Sequence, residues 1–286
     1  MCWQPITLRN QTTWKTINGR KQEVSQNVPC GKCQQCLKAK LSAWLFRLDK
    51  ELEVAKNPLF ITLTYDNTNL PLTKNGLVTL RKSDVQNFFK RFRKEYCKKI
   101  GNGTSGLRYY LCGEYGSKFG RPHYHMILLN CLHPDIIHKN WQNGHVLTLP
   151  LKSGGTYYVL KYLAKKDSKL KEGQQKLFSL VSGGFGKNYL TDAIKQYHNA
   201  SIENSHLTMR GGQKVPIPKY YKDHIYNDEM RRKVSQYMEK LSLDLEIKRF
   251  TDYKHKYPQL SDENIVKNLQ LTKFNINIAH RINETF

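Results

Sequence analysis

The stretch Gly120-Arg121-Pro122-His123-Tyr124-His125-Met126-Ile127-Leu128-Leu129 constrains this chain more than any other. Two imidazoles flank one tyrosine, and four apolar residues follow. Side chains two apart on a strand share a face. Read as a strand, the stretch therefore presents His123 and His125 side by side. Imidazole is the commonest protein ligand for transition metals and also binds Mn²⁺. A polar strand start beside a core fits these residues equally well. The deciding question is whether the rest of the chain supplies what a metal site needs.

The preceding residues supply a carboxylate. Leu107–Tyr115 reads as a strand, and the loop Gly116–Gly120 joins it to the histidine strand as a hairpin. That pairing puts Glu114 beside His123 and His125. One carboxylate and two imidazoles with open positions suit Mn²⁺ or Mg²⁺ next to a phosphate.

Downstream, Thr156-Tyr157-Tyr158-Val159-Leu160-Lys161-Tyr162-Leu163-Ala164-Lys165-Lys166 reads as a helix that Thr156 can cap. Tyr158 and Tyr162 are i and i+4 and share a face, while Lys161 and Lys165 share a neighbouring one. Such a pair is commonly core packing. Tyrosine is also a covalent nucleophile once a cation or base favours its phenolate.

The remaining pattern alternates helix and strand. Leu41, Trp44, Leu45, Leu48 and Leu52 mark an amphipathic helix over Leu37–Ala55, ended by Asn57-Pro58. Leu59–Tyr65 reads as a buried strand and Gly144–Leu149 as another. Ser83 reads as the N-cap of a helix over Asp84–Lys99, whose apolar face is Val85, Phe88, Phe89, Phe92 and Tyr96. Lys90, Arg91, Arg93 and Lys94 lie on its remainder, as a solvated face or as phosphate contacts. His133, His138 and His145 have no ligand spacing and read as surface residues. Residues 201–221 read as loop, and helices are expected over about 228–248 and 261–278.

Charge sets the class of partner. The 286 residues carry 47 Lys+Arg against 23 Asp+Glu, a net charge of +24. That excess favours a polyanion, nucleic acid first. No apolar run reaches the roughly 18 residues of a membrane span, and the N-terminus lacks a signal peptide's pattern, so a cytoplasmic location is expected. Ser182–Asn188 invites a nucleotide-loop reading. However, Val181 stands where the first Gly of a P-loop belongs and Asn188 replaces its Ser/Thr, which excludes that motif.

Four of the seven cysteines fall in the first forty residues: Cys2, Cys30, Cys33 and Cys36. In a reducing compartment they stay as thiols or bind metal. Cys30-Gly31-Lys32-Cys33 lets two thiolates reach one ion through a tight turn, and Cys2 can complete a four-cysteine structural zinc site. Cysteines simply packed at a helix start are the alternative.

The order of these parts resembles the HUH endonucleases, named for His-hydrophobic-His. The nearest resemblance is to the rolling-circle replication initiators of microviruses, of gokushovirus type. It is carried by Pro29-Cys30-Gly31-Lys32-Cys33 with Cys36, by Gly113-Glu114-Tyr115-Gly116 with Gly120–His125, by Tyr158-Val159-Leu160-Lys161-Tyr162 and by Pro218-Lys219-Tyr220-Tyr221. Tyr157 is a third tyrosine beside the pair and leaves open which phenol acts.

The resemblance implies an α/β fold: an HUH endonuclease-like antiparallel sheet of about five strands with helices on one face, plus a Cys-rich N-terminal segment and C-terminal helices. It implies a Cys-rich segment over 1–40, a catalytic domain over 41–200 and a basic helical region over 201–286. It further implies Tyr158 and Tyr162 as nucleophiles assisted by Lys161, with Glu114, His123 and His125 as ligands to Mn²⁺ or Mg²⁺. Lys90, Arg91, Arg93, Lys94 and Lys165 would contact DNA. The implied activity is nicking and rejoining of single-stranded and replicative-form phage DNA at the origin, with host helicase and polymerase as partners in the bacterial cytoplasm. Two other classes use the same basic surface: a non-catalytic, zinc-stabilised nucleic-acid-binding protein, and a DNA-packaging protein.

Overall fold

The computed structural model describes residues 6–17, 20–101, 106–116, 119–152, 154–160 and 170–269. The chain divides into two compact units, Cys30–Tyr189 and Met1–Pro29 with Leu190–Phe286.

The Cys30–Tyr189 unit is built on the expected α/β plan. Its strands are β3 (Leu59–Tyr65), β4 (Arg108–Tyr115), β5 (Pro122–Leu129), β6 (Gly144–Pro150) and β7 (Ser179–Val181). They form one antiparallel sheet in the order β6-β3-β5-β4-β7. The helices are α1 (Gln34–Val54), α2 (Lys82–Ile100), α3 (Asp135–Asn140) and α4 (Gly155–Leu160). The strands β1 (Ile6–Ile17) and β2 (Arg20–Val28) of the other unit complete the numbering from the N-terminus.

Helices were expected on one face of the sheet, and they cover both. Alternation along the strands explains this. Ile61, Leu63 and Tyr65 of β3, Leu111 of β4, and Tyr124, Met126 and Leu128 of β5 pack with Val85, Phe88, Phe89, Phe92 and Tyr96 of α2 and with Ile136 and Ile137 of α3. The residues between them, Tyr110, Cys112, Ile127 and Leu129, pack with Leu41 and Leu48 of α1 and Val159 and Leu160 of α4. The run Met126–Leu129 thus has apolar partners on both sides, the usual condition for a strand buried on two faces.

α2 starts slightly earlier than its sequence signals suggest. Arg81 is its N-cap, without a side-chain hydrogen bond, so Ser83 lies inside the first turn and does not cap. The helix ends at Gly101, whose φ of +73° is the left-handed conformation that glycine supplies without strain. Thr156 likewise lies within α4, which begins at Gly155.

The Gly-rich Ser182–Asn188 segment has a structural role. The buried Glu51 of α1 pairs with Arg108 at 2.6 Å and accepts from the Gly186 N–H. Arg47 donates to the Phe185 carbonyl at 2.8 and 2.9 Å, and Phe185 is fully buried. The segment's backbone groups are therefore committed to α1, in keeping with the absence of a P-loop.

In the other unit β1 and β2 pair antiparallel, with a register shift between Asn10 and Trp14. It also holds α5 (Asp192–Ala200), a small hairpin of β8 (His206–Thr208) and β9 (Lys214–Pro216), α6 (Lys219–Ile225) and α7 (Asp228–Lys256), and residues 262–269 are helical. The stretch 201–221, expected as loop, carries this hairpin and the start of α6. Short strands of three residues leave too little alternation to be read from sequence.

Candidate active site

Register builds the site. On the β4–β5 hairpin Glu114 lies directly opposite His123, and Cys112 opposite His125. β3 flanks β5 on its other side, with Thr62 opposite His125 and Thr64 opposite His123. All of these residues point to the face covered in part by α1 and α4.

The three expected ligands converge. Glu114 Oε1 lies 2.8 Å from His123 Nε2 and 3.1 Å from His125 Nε2. One ligand atom from each lies within 4.8 Å of the others. Glu114 and His125 are buried, and His123 is partly open.

The other ring nitrogens are held. His123 Nδ1 sits 3.0 Å from the Arg121 carbonyl, and His125 Nδ1 3.1 Å from Thr62 Oγ1. A carbonyl only accepts, so His123 Nδ1 must carry the proton there. In neutral imidazole this leaves a lone pair on Nε2, aimed at a carboxylate oxygen that also only accepts. Two acceptors at that distance require a cation between them, either a metal ion or a proton. This is how metal-bound histidines are commonly oriented, with the far nitrogen donating to a fixed acceptor. The donor set of two imidazoles and one carboxylate fits a first-row divalent ion with positions left for other ligands.

The tyrosines separate clearly. Tyr158 of α4 sets its ring edge against His125, with centroids 5.2 Å apart, and against Phe60 at 5.8 Å. Tyr158 keeps 38% of its surface exposed. Tyr157 instead packs among the apolar residues under α1 and α4. α4 is held down by its buried Val159 and Leu160 and by the Cys112 thiol, which donates to the Val159 carbonyl at 3.5 Å. Tyr162, Lys161 and Lys165 lie outside the described residues, as does Cys2.

Tyr124, between the histidines in sequence, points the other way. Its hydroxyl meets Tyr65 Oη at 2.8 Å and donates to the Arg81 carbonyl at 3.0 Å, while Tyr65 donates to Asp84 at 2.8 Å. Burial pushes the Tyr124 phenol up to about 12. Burial raises Tyr65 further still, with Tyr124 and Asp84 beside it. Tyr124 is thus a structural phenol.

The residues expected to contact DNA on α2 lie on the sheet face opposite the histidines. Lys90, Arg93 and Lys94 are on the outer side of the helix, with Lys90 and Lys94 exposed and Arg93 the same. Arg91 is committed, donating to the Asn140 carbonyl at 2.9 and 3.2 Å. Arg93 lies over the rings of Phe89 and Tyr109. His138 and His145 are exposed, as expected, and His133 is half-buried.

Among Cys30, Cys33 and Cys36, one sulfur from each also falls within 4.8 Å of the others. Thr62, Phe60 and the Arg121 carbonyl are the site components that the sequence alone did not reveal. Pairing between β3 and β5, which are not neighbours in sequence, brings the first two into place.

Comparison with known proteins bears directly on this arrangement. A family model for replication-associated proteins of the ORF2 type matches residues 58–167, the stretch that holds β3 to α4. The chain is 25% identical over 293 residues to replication-associated protein VP4 of Bdellovibrio phage phiMH2K, covering 91% of this chain and 87% of that one. It is 27% identical over 289 residues to replication-associated protein ORF2 of Spiroplasma virus 4, covering 86% and 85%. Replication-associated protein ORF4 of Chlamydia phage 1 is 25% identical over 228 residues, covering 68% of this chain and 53% of that one. The resemblance to microvirus replication initiators, first carried by short motifs, thus holds along most of the chain.

Proposed function

We propose that this relative of the microvirus replication-associated proteins initiates rolling-circle replication of phage DNA by nicking one strand at the origin and later rejoining it. The observation that carries this reading is the convergence of His123, His125 and Glu114 with the Tyr158 ring against His125.

His123, His125 and Glu114 would hold one Mn²⁺ or Mg²⁺. When bound, such an ion polarises a non-bridging phosphate oxygen and stabilises the charge that develops on it. The Tyr158 phenol oxygen, or that of Tyr162 one turn on, attacks phosphorus in line. The tyrosine O–P bond forms as the P–O3′ bond breaks. The phenol gives up its proton, and the departing 3′ oxygen takes one up. The products are a 5′-phosphotyrosine and a 3′-OH for a host polymerase to extend. A second tyrosine four residues away then cleaves the regenerated origin, and the freed 3′-OH attacks the first phosphotyrosine to close the circle. Lys161 is assigned to the phosphate, and Lys165, Lys90 and Lys94 to the DNA backbone. The transfer conserves a phosphoester at each step and needs no nucleotide hydrolysis. Strand separation then falls to a host helicase in the bacterial cytoplasm.

Incubation with single-stranded cognate origin DNA and Mn²⁺, followed by a denaturing gel, tests this. The expected result is a nicked strand with a covalent protein–DNA adduct. Folded protein that binds the origin and leaves it intact would favour the non-catalytic or packaging alternative.

A further inference from the structure

A second cluster of metal-ligating side chains lies outside the site above. We propose that Cys30, Cys33 and Cys36 bind one zinc ion as thiolates, and that this ion fixes the start of α1.

The geometry is already that of a metal site. One sulfur from each residue lies within 4.8 Å of the others, and Cys33 Sγ is 3.5 Å from Cys36 Sγ. Thiolates about 2.3 Å from a tetrahedral zinc ion lie roughly 3.8 Å apart. Three sulfurs therefore need only small shifts to share an ion.

Burial argues against simple packing. Cysteine in a core is typically fully buried, as Cys112 and Cys131 are at 1% and 2% exposure. Cys30, Cys33 and Cys36 are only half-buried, so apolar burial does not account for their convergence. The local backbone favours negative sulfur instead. The Cys33 N–H donates to Cys30 Sγ at 3.2 Å. Cys33 is the N-cap of α1 and Cys36 lies in its first turn, where no acidic residue competes. Helix N-terminal N–H groups favour thiolate there. Gly31, at φ +71°, makes the tight turn between Cys30 and Cys33, and a side chain at that φ would be strained.

The placement gives the ion a task. The far end of α1 is clamped through Glu51 to Arg108 and the Gly186 N–H. Between the ends, Leu41 and Leu48 pack on the sheet face that carries His125 and on the buried residues of α4. The ion would secure the otherwise weakly capped beginning of that helix.

The test uses the full chain carrying His123→Ala and His125→Ala, so that the other cluster contributes no metal. Metal analysis after dialysis should find about one zinc per chain. Cobalt exchanged into the site should give the intense thiolate-to-cobalt absorption of a tetrahedral site. Cys33→Ser should lose both signals, whereas Cys97→Ser, on α2, should keep them. Stripping zinc from the unsubstituted chain should lower its melting temperature. If Cys33→Ser fails to fold, the cobalt spectrum of the parent still decides. No retained zinc with no thiolate–cobalt band overturns the proposal, as does a Cys33–Cys36 disulfide in reductant-free protein that takes up no metal. The outcome is independent of nicking: a protein that holds zinc here yet cuts no DNA would sink only the functional reading.

Discussion

The two faces of one strand contrast sharply. On β5, His123 and His125 point to one side and Tyr124 to the other. On the first side two imidazole nitrogens crowd a single carboxylate oxygen, an arrangement that requires a cation. On the second, Tyr124, Tyr65, Asp84 and the Arg81 backbone satisfy one another by hydrogen bonds with no ion required. Both faces are polar at the same level of the sheet, so polarity does not mark function. What marks it is unmatched hydrogen-bonding chemistry: acceptor facing acceptor on one side, donor facing acceptor on the other. The reactive side also has the more open residue, Tyr158, whereas the structural side is sealed by α2.

This contrast can be broken by substitutions on each face. The largest effect is expected from Tyr158→Phe/Tyr162→Phe, which should abolish the adduct, a loss on the order of 10⁴-fold or more in a quenched nicking assay. Adduct formation at the parental rate would remove α4 from the chemistry. Next, His125→Ala should slow nicking by about 10²–10³-fold and weaken Mn²⁺ binding measured by calorimetry. A normal rate would show that the acceptor cluster is incidental.

The opposite face should respond in stability rather than chemistry. Phe88→Ala should cost about 3–5 kcal/mol in denaturant unfolding, with Mn²⁺ affinity kept by the folded fraction. Tyr124→Phe leaves the Arg81 N–H short of its acceptor and should cost roughly 1–3 kcal/mol while nicking persists. Because the Tyr124 phenol is raised to about 12, the folded state holds its proton more tightly than the unfolded chain. That stabilisation is complete below the ordinary tyrosine value of about 10 and is lost as pH rises toward 12. Tyr124→Phe should flatten this part of the alkaline stability profile. The smallest effect is expected from Lys90→Ala/Lys94→Ala, behind the sheet: a few-fold loss of origin affinity with a shallower salt dependence. A large fall in the cleavage rate of bound DNA would place substrate on the wrong face in this account.

Much of this contrast was legible in the sequence. β3 is found over the residues that its β-branched and aromatic run marks. The i, i+3, i+4 aromatics of α2 and the Gly-containing hairpin between β4 and β5 were equally readable, because each is a local pattern. The hairpin alone was enough to put Glu114 beside His123. Non-local contacts were not legible. Thr62 reaches His125 only because β3 pairs with β5 across an intervening helix and strand, and no local period encodes that register. Helices on both faces were missed, although the unbroken Met126–Leu129 run holds the signal: alternation lapses where both sides of a strand are buried. Tyr157 and Tyr158 could not be told apart by composition, and only the seating of α4 turns one into the core and the other to His125.

The central claim is that the histidine face of β5 orients a phosphate for attack by a tyrosine of the Tyr158 helix. Its most direct test is peptide mapping of the covalent adduct by mass spectrometry, with Mn²⁺ and with EDTA. The account predicts nucleotide attached to Tyr158 or Tyr162 in Mn²⁺ and no adduct in EDTA. An adduct on Tyr157 or on any tyrosine outside this helix, or one that forms equally well in EDTA, would contradict it.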